Sequence, residues 1–474
     1  MIKEKCGIAG VFLFDQNKSA AFEIYKILLS QFTRGQEGAG IVVYDPLNNM
    51  IRSHKDSGRV RDIFSKLDFS VFIGNVGIGH NRYGTVDARS KGVPINRIVQ
   101  PLTTETEMFY LSHNGTLSPH SLRELGKYSG NFSSDTEALA LAIEKEWDRE
   151  HNLVDAMRSL DEVLDGSYSC TLLTREGELV AFRDPKGFKP LVIGEIDGGY
   201  AIASETSPLE FQLHAKNIRP VEPGEIITIN NQGEMKRDRF AEPVKHAHCA
   251  FEWVYFSNPA SYFEGINTER VRVKLGRILA RKHPVKADSV GPVPDSGRSC
   301  ALGYHLESGL PMVEYLQANR ELGRVFITPN EKERRRAREL KYSVLKEEVT
   351  GIKIVLCDDS IVRCTTSEYL VSLLKRYGAK EVHLRVSFPP IVEPCLHGGI
   401  AFSTRRELAY HKYKEVEGIR EAIGADSLTY TDANDRREAI GLDDICTACV
   451  TGTYPLKFKI SADDKEIEEL GYVR

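Results

Sequence analysis

Apolar and polar positions divide the chain into two halves with different periodicities. Between residues 6 and 240, short strand-like runs and glycine-rich turns surround two stretches of helical spacing, Ala20–Gln31 and Thr136–Trp147. Strands and helices in separate runs are typical of an α+β sandwich. From about residue 287 to residue 426, strand and helix patterns alternate. This alternation predicts a parallel sheet with right-handed crossovers.

Two further stretches of the second half carry element predictions. Residues 249–281 begin with closely spaced aromatic side chains and continue with helical spacing, which predicts a strand followed by a helix. Residues 330–345 are highly charged and helix-prone, as on the solvated face of a helix.

The most informative stretch lies at residues 354–367. Ile354–Cys357 is a short apolar run, as expected of a buried strand, and helical spacing follows it. Asp358 and Asp359 come at the carboxyl end of this strand, where open α/β sheets bind their ligands. The hydroxyl, guanidinium and backbone groups after them suit a phosphate, while paired acids suit a diol and a metal-bound polyphosphate. These following residues are Ser360, Arg363, Thr365 and Thr366. An ordinary helix cap is the alternative for an acidic pair by itself.

A second turn with phosphate-binding chemistry precedes it along the chain. Asp295, Ser296, Gly297 and Arg298 lie between an apolar strand pattern and a helical pattern. Backbone N–H groups in such a turn form an anion-binding nest, to which the arginine adds charge. The alternative is a plain β-turn, since Asp, Ser and Gly are common turn residues.

Composition and charge narrow the class of protein. The chain has 474 residues, 41% hydrophobic and 27% charged, which is ordinary globular composition and enough for two cores. The net charge of −4 gives no indication of a nucleic-acid partner. No apolar run approaches the ~20 residues that span a bilayer, so no membrane association is expected. Residues 1–5 are too short and polar for a signal peptide, and a cytoplasmic protein is expected.

The nine cysteines are an odd number without regular spacing. In a cytosolic chain this favours catalytic or metal-binding roles over disulfides. Cys6 could act as a nucleophile if residues 1–5 were removed, because its own α-amino group, with a pKa of about 7.7–8.0, could then serve as the general base. A buried strand cysteine behind an ordinary leader is the alternative.

Six motifs in the first half resemble, in order, the class II glutaminase domain of N-terminal nucleophile hydrolases. They are CGIAG at Cys6, TRGQEGAGI at Thr33, GIGHNRYGT at Gly77, LSHNGTL at Leu111, SSDTEAL at Ser133 and FRDPKGFKPL at Phe182. The resemblance implies that Cys6 is the nucleophile and that Asn114 and Gly115 form the oxyanion hole. It further implies that Arg82 binds the carboxylate of glutamine and Asp135 its α-amino group. Taken singly, Asn114 also fits a hairpin turn, Arg82 a surface position and Asp135 a helix N-cap.

Two motifs of the second half, DDSIVR at Asp358 and the PDSGR turn, resemble those of the glutamine phosphoribosylpyrophosphate (PRPP) amidotransferase family. The resemblance implies a propeptide at 1–5, an αββα sandwich at 6–240 and an α/β parallel-sheet type I phosphoribosyltransferase domain at 241–474. PRPP would be bound by Asp295, Ser296, Gly297, Arg298, Lys341, Asp358, Asp359, Ser360, Arg363, Thr365 and Thr366. Mg²⁺ would lie near Ser296, Asp358 and Asp359.

Four cysteines match the ligand positions of family members that carry a 4Fe–4S cluster. These are Cys249, Cys395, Cys446 and Cys449. Four thiolates also suit a structural zinc ion, so both centres remain open. Cys170, Cys300 and Cys357 are interpreted as buried packing residues.

The resemblance implies an enzyme that hydrolyses glutamine and transfers the ammonia to PRPP, giving 5-phosphoribosylamine, glutamate and pyrophosphate. In the family this is the first step of purine synthesis, catalysed by a homotetramer that purine nucleotides inhibit. Several positions depart from the family pattern: Thr33, Val86, Asp87, Glu339 and Cys364. Those at Thr33, Glu339 and Cys364 motivate one alternative, a diverged paralogue that uses free ammonia or forms another product. A second alternative, of another class, is a non-catalytic PRPP or redox sensor that keeps the fold.

Overall fold

The structure, a computed structural model, describes residues 6–82, 98–129, 132–319, 340–398 and 405–458. In the first half the strands are β1 (Gly7–Leu13), β2 (Gly38–Asp45), β3 (Met50–Ser57), β4 (Val76–Arg82), β5 (Leu102–Thr103), β6 (Phe109–Leu117), β7 (Gly166–Thr174), β8 (Leu179–Arg183), β9 (Val192–Ile196), β10 (Gly199–Ala203), β11 (Lys216–Pro220), β12 (Glu225–Ile229) and β13 (Met235–Arg239). The helices are α1 (Ala20–Ser30), α2 (Val60–Phe64), α3 (Pro119–Ser129), α4 (Asp135–Glu150) and α5 (Leu153–Asp161), with one π-helical turn at Pro208–Gln212.

These elements form four layers. Seven strands pair in the order β11-β9-β10-β1-β4-β2-β3, and six pair in the order β13-β12-β8-β7-β6-β5. Apolar side chains from both sheets, including Ile8 and Leu173, meet in one buried cluster between them. The outer face of the first sheet packs on α1, and that of the second packs on α4 and α5. The predicted αββα sandwich is therefore confirmed, since two apolar sheet faces bury each other and each outer face is covered by helices.

The second half is built on a short parallel sheet. The strands of the second half, in chain order, are β14 (His248–Cys249), β15 (Tyr262–Phe263), β16 (Ile266–Asn267), β17 (Ser289–Pro292), β18 (Leu316–Ala318), β19 (Tyr342–Val344), β20 (Lys353–Asp358), β21 (Glu381–Val386), β22 (Ser427–Tyr430) and β23 (Ile445–Cys446). Its helices are α6 (Thr268–Lys282), α7 (Arg298–Ser308), α8 (Thr365–Arg376), α9 (Ala409–Tyr413), α10 (Val416–Ile423), α11 (Ala433–Ile440) and α12 (Ala448–Thr451). Short turns are helical at Glu252–Phe256 (π), Lys346–Glu348 and Arg405–Glu407 (3₁₀).

The parallel sheet has the order β17-β20-β21-β22. Ile354 and Leu356 on β20 pack under α8, whereas Val355 and Cys357 pack on the opposite face against α6 and α7. A strand covered on both faces is apolar at every position, which explains the continuous apolar run seen in the sequence. The predicted parallel sheet is confirmed.

Some local predictions were wrong. Glu252–Phe256 is a helical turn and not a strand, because its aromatic side chains pack into the domain junction on several sides. Tyr342–Val344 is a strand paired with β18 and not part of a helix; residues 330–339 lie outside the described residues. The first half also contains α2, α3 and α5, which the sequence pattern did not reveal.

A fully buried ion network joins the two halves. The Arg34 guanidinium donates to Glu205 at 2.5 Å and to Glu252 at 2.8 Å. Lys189 Nζ donates to the other oxygen of Glu252 at 2.9 Å. All four side chains are at most 1% exposed. Because Glu252 belongs to the second half and its partners to the first, these contacts fix the two halves to each other.

Replacing Glu252 with glutamine is expected to lower the free energy of unfolding by about 3–5 kcal/mol. The change leaves two buried cations without their shared counter-charge, and breaking a buried pair on one side costs that much. Urea denaturation followed by tryptophan fluorescence measures the loss.

The matched control is Glu124→Gln, which removes a carboxylate that pairs with the exposed Lys127 at 2.6 Å. Solvent screens this pair, so its loss should hardly change the denaturation curve. Equal destabilisation by both variants would contradict a special role for the buried network.

Candidate functional site

Cys6 and Arg82 meet at one end of the first sheet. In the antiparallel pair of β1 and β4, Gly7 stands opposite Asn81. Cys6, which precedes Gly7, therefore comes close to Arg82, which follows Asn81. The Arg82 side chain is only 12% exposed, with Nη1 3.8 Å from Glu37 Oε2. A solvated surface arginine is therefore the wrong interpretation of Arg82, which lies in a partly buried position beside the candidate nucleophile.

Gly35 explains part of the TRGQEGAGI motif. A Cβ added at Gly35 would lie 2.2 Å from the carbonyl carbon of Arg82, far inside any real contact. Only glycine allows the chain after Arg34 to pack against the end of β4. Gly35 of the motif thus packs against the backbone of Arg82. Arg34 of the same motif belongs to the ion network between the halves.

Asn114 and Gly115 lie inside β6, so the hairpin alternative is wrong. The strand β6 contacts β1 and β4 of the facing sheet. Asn114 is 1% exposed, and among the described residues neither atom of its amide has a hydrogen-bond partner. Buried amides are nearly always paired, so this side chain is suited to a ligand or an oxyanion.

Asp135 is the first residue of α4, whose N-cap is Ser134. Asp135 Oδ1 accepts hydrogen bonds from the N–H and the hydroxyl of Thr136, at 2.9 and 3.5 Å. The N-cap alternative for Asp135 is therefore wrong. Its carboxylate stays at the positive end of the helix, where it is suited to a cationic ligand group.

A cavity of about 780 Å³ lies at the carboxyl ends of β17 and β20. It brings together nearly all of the predicted PRPP-binding residues, namely Asp295, Ser296, Arg298, Lys341, Asp358, Asp359, Ser360, Arg363, Thr365 and Thr366. Residues of the first half, including Thr33 and Gln36, line it as well. The cavity therefore lies where the two domains meet, at the edge of the sheet that open α/β folds use for ligands.

Gly297 holds the two turns of this cavity together. A Cβ there would lie 2.2 Å from the carbonyl oxygen of Cys357, the residue before the acidic pair. The side chain of Arg298 donates to Asp295 at 3.2 Å and also to Glu314. Two stretches 60 residues apart in the sequence are thus locked side by side around one ligand-sized space.

The acidic pair concentrates negative charge in a buried place. Asp358 and Asp359 are each 6% exposed, and the N–H of Asp359 donates to Asp358 Oδ1 at 2.9 Å. Burial, followed by the neighbouring Asp359 charge, raises the pKa of Asp358 well above its usual range. The hydroxyl of Ser360 donates to Asp359. A divalent cation or a diol would relieve this repulsion, so the pair fits Mg²⁺ and a ribose.

Several residues that the sequence did not single out line the same cavity, three of them with ionisable side chains on or near α6. These three are Tyr255, Glu269 and Arg272. Arg272 donates to the carbonyls of Trp253 and Ser257 at 2.7 and 2.8 Å, and its charge interacts with Asp359. An arginine on the otherwise apolar face of α6 was the available signal, because such a residue is seldom buried without a partner.

Cys364 is the N-cap of α8 and has a φ of 68°, a conformation that favours glycine. The residue borders the cavity, is 3% exposed and packs with Ile361, Leu370 and Tyr430 in the core below. Burial raises the pKa of its thiol to about 12. The thiol is therefore protonated and unreactive near neutral pH.

Replacing Cys364 with glycine is expected to tighten PRPP binding by roughly threefold to tenfold, because loss of the Cβ widens the phosphate cradle. Isothermal titration with PRPP measures the affinity. Cys364→Ala, which keeps the Cβ, should bind like the unchanged protein, and an unchanged affinity of Cys364→Gly would refute the steric account.

The four remaining cysteines surround one buried region at the domain junction. Cys249 on β14 stands opposite Cys446 on β23, and Cys449 lies in α12. Each of Cys446 and Cys449 is close enough to the other cysteines, Cys395 included, for their charges to interact. In the arrangement seen, no three His, Cys, Asp or Glu side chains of the described ranges are grouped tightly enough to hold a metal ion. Cys249 and Cys449 are buried, and Cys395 and Cys446 are half-buried. In chemistry, four thiols are the donor set of a metal–thiolate centre.

The structure also bears on the remaining predictions. Cys170, Cys300 and Cys357 are buried, as expected of packing residues. No helix of the described residues has the length and apolarity to cross a bilayer. The predicted propeptide at residues 1–5 and the departures at Val86, Asp87 and Glu339 lie outside the described residues.

Comparisons with known proteins agree with the motifs. A family model described as "Glutamine amidotransferase domain" matches residues 88–210. The amidophosphoribosyltransferase of Methanothermobacter thermautotrophicus is 39% identical over 96% of this chain and 95% of its own length.

Solved structures give the same result. The glutamine PRPP amidotransferase of B. subtilis, complexed with ADP and GMP, matches 95% of this chain and 98% of its own with a TM-score of 0.84 and 37% identity. A structure described as the allosteric regulatory enzyme of purine biosynthesis matches 98% of this chain and 99% of its own with a TM-score of 0.85 and 36% identity. By sequence and by fold over nearly its whole length, the chain belongs to the amidophosphoribosyltransferase family, enzymes that join a glutamine amidotransferase to a phosphoribosyltransferase.

Proposed function

We propose that the chain hydrolyses glutamine at Cys6 and delivers the ammonia to PRPP in the cavity at the end of β20. The products are glutamate, pyrophosphate and 5-phospho-β-D-ribosylamine. The observation that carries the proposal is the cavity itself, which is lined by both phosphate-binding turns and also by Thr33 and Gln36 of the glutaminase half. In this proposal, ammonia released in the glutaminase half passes into the cavity that residues of both halves line.

In the glutaminase half, removal of residues 1–5 frees the α-amino group of Cys6, which takes the thiol proton as general base. The thiolate attacks the amide carbon of glutamine, and the carbon–nitrogen bond breaks as the α-ammonium group returns the proton to the leaving nitrogen. Ammonia and a glutamyl thioester result, and water then hydrolyses the thioester to glutamate and the free thiol. The Asn114 amide and the Gly115 N–H stabilise the oxyanion, for which the unpartnered amide of Asn114 is support. Arg82 binds the carboxylate and Asp135 the α-amino group of glutamine.

In the transferase half, the backbone around Gly297, with Asp295, Ser296, Arg298 and Lys341, holds the pyrophosphate. The turn of Ser360, Arg363, Thr365 and Thr366 holds the 5′-phosphate at the start of α8, where backbone N–H groups and the helix dipole favour an anion. Asp358 and Asp359 orient the ribose hydroxyls. When bound beside Ser296, Asp358 and Asp359, Mg²⁺ would neutralise the leaving pyrophosphate.

Cys249, Cys395, Cys446 and Cys449 would hold a structural 4Fe–4S cluster, with zinc as the alternative. We further propose domains at 6–240 and 241–474, a homotetramer in the cytoplasm, and inhibition by purine nucleotides. The nucleotides bound to the B. subtilis relative support the last of these.

The test is release of pyrophosphate and glutamate by the purified protein with glutamine, PRPP and Mg²⁺. Release that requires both substrates supports the proposal. Release with ammonium but not with glutamine would support the diverged paralogue, for which the departures at Thr33, Glu339 and Cys364 speak. Absence of any release would support a PRPP or redox sensor. Mass spectrometry of the N-terminus is the companion measurement, since an uncleaved Met1 would leave Cys6 without its base.

A further inference from the structure

Arg436 on α11 is a buried cation whose charge lacks an obvious counterpart. Its side chain is 1% exposed, and among the described residues none of its three guanidinium nitrogens has a hydrogen-bond partner. One contact that the guanidinium does make is with the face of the Phe388 ring, 4.8 Å from the ring centre. A guanidinium stays charged in proteins, so burial in this state is costly unless an anion lies near.

The groups that face Arg436 identify the missing anion. Phe388, the ring under the guanidinium, belongs to the same buried cluster as Cys249 and Cys449. Among the charges that act on Arg436, those of Cys449 and Cys446 come before those of Arg437 and Asp432. Neutral thiols do not balance a buried cation. Four thiolates around a Zn²⁺ ion or a 4Fe–4S²⁺ core, by contrast, carry a net charge of about −2.

The opposite side of the cysteine group is built differently. Lys189 lies against Cys249 and near Cys395, but it already pairs with Glu252 at 2.9 Å. His397 places Nε2 3.4 Å from Cys446 Sγ, in position for an N–H···S hydrogen bond. Its ring packs at a tilt of 53° against that of Phe188. Both groups favour an anionic sulfur, and Arg436 differs from them because all three of its guanidinium nitrogens lack a hydrogen-bond partner among the described residues.

We propose that Arg436 is the counter-cation of an anionic metal–thiolate centre formed by Cys249, Cys395, Cys446 and Cys449, and that it controls how firmly that centre is held. This rests on the centre proposed above. Its physical basis is that a charged guanidinium buried without a hydrogen bond is costly, and that an anionic centre in the same buried region offsets this cost. Where the centre is a cluster that accepts an electron, Arg436 also favours the more negative, reduced form, because the added charge lies beside a cation.

The test compares metal release by four proteins purified without oxygen: the unchanged chain, Arg436→Met, Arg436→Lys and Arg437→Met. Arg437 is the matched control, since it is the next residue on the same helix but is exposed. Iron and zinc are measured by mass spectrometry, and loss of metal to excess chelator is followed by visible absorption and metal content. We expect Arg436→Met to lose metal at least tenfold faster, Arg436→Lys to stay within about threefold and Arg437→Met to be unchanged.

Equal rates for Arg436→Met and the unchanged chain would overturn the proposal, as would an unchanged chain that contains neither iron nor zinc. If Arg436→Met does not fold, Arg436→Gln takes its place with the same expectation. For an iron–sulfur centre, the midpoint potential of the neutral variant should be more negative than that of the unchanged chain. Pyrophosphate release by the unchanged chain is measured separately, so failure of this inference is distinct from failure of the proposed reaction.

Discussion

Replacing Cys6 with alanine should abolish glutamine-dependent formation of pyrophosphate while leaving the ammonium-dependent reaction nearly intact. Loss of a nucleophile typically costs ~10³-fold or more in rate, because no other group forms the covalent intermediate. The transferase cavity is lined mainly by the second half, and Cys6 is not among its residues. Parallel assays with glutamine and with ammonium chloride, each with PRPP and Mg²⁺, measure the two activities.

The ammonium reaction is the internal control for folding in this experiment. A fall of both activities together would mean that the alanine disturbs the domain junction and not only the glutaminase chemistry. Retention of glutamine-dependent activity would contradict the assignment of Cys6 as nucleophile, whatever the motif resembles. Cys6→Ser, which keeps a hydroxyl at the position, distinguishes loss of the sulfur from loss of the side chain.

The second large effect is expected at the acidic pair. Asp358→Asn and Asp359→Asn should each lower pyrophosphate release by about 10²-fold with both nitrogen sources, because each removes a charge aimed at the ribose and the metal. The two carboxylates lie next to each other and are 6% exposed, so either change alters the whole pair. The control is Glu347→Gln, an exposed carboxylate on the same domain.

The pattern across nitrogen sources is what tests this prediction. If pyrophosphate release fell with glutamine but not with ammonium, the acidic pair would act in coupling the two domains and not in PRPP binding. Isothermal titration with PRPP, with and without Mg²⁺, adds a direct measurement. If the metal no longer strengthens PRPP binding in the asparagine variants, the pair acts through the metal.

Local sequence determined more of the transferase half than of the junction. The strand at Ile354–Cys357 and the turn after it were predictable because a strand buried on both faces is apolar throughout and a phosphate turn needs small polar residues. The aromatic stretch at Glu252–Phe256 was not, because its helical turn is imposed by packing partners distant in sequence. Propensity is a weak prior where tertiary contacts decide the conformation.

What the sequence by itself determined is the set of chemical groups: a cysteine near the chain start, an acidic pair after a buried strand, two phosphate turns and four spaced cysteines. Motif order was enough for these, because chemistry constrains residue type. Only the tertiary structure decided that Asn114 lies in a strand with an unpartnered amide, that Gly297 packs one turn closely against the other, and that Arg436 is buried with no hydrogen-bond partner among the described residues. Burial and the nearness of residues far apart in sequence are properties of the folded chain, so no local pattern could contain them.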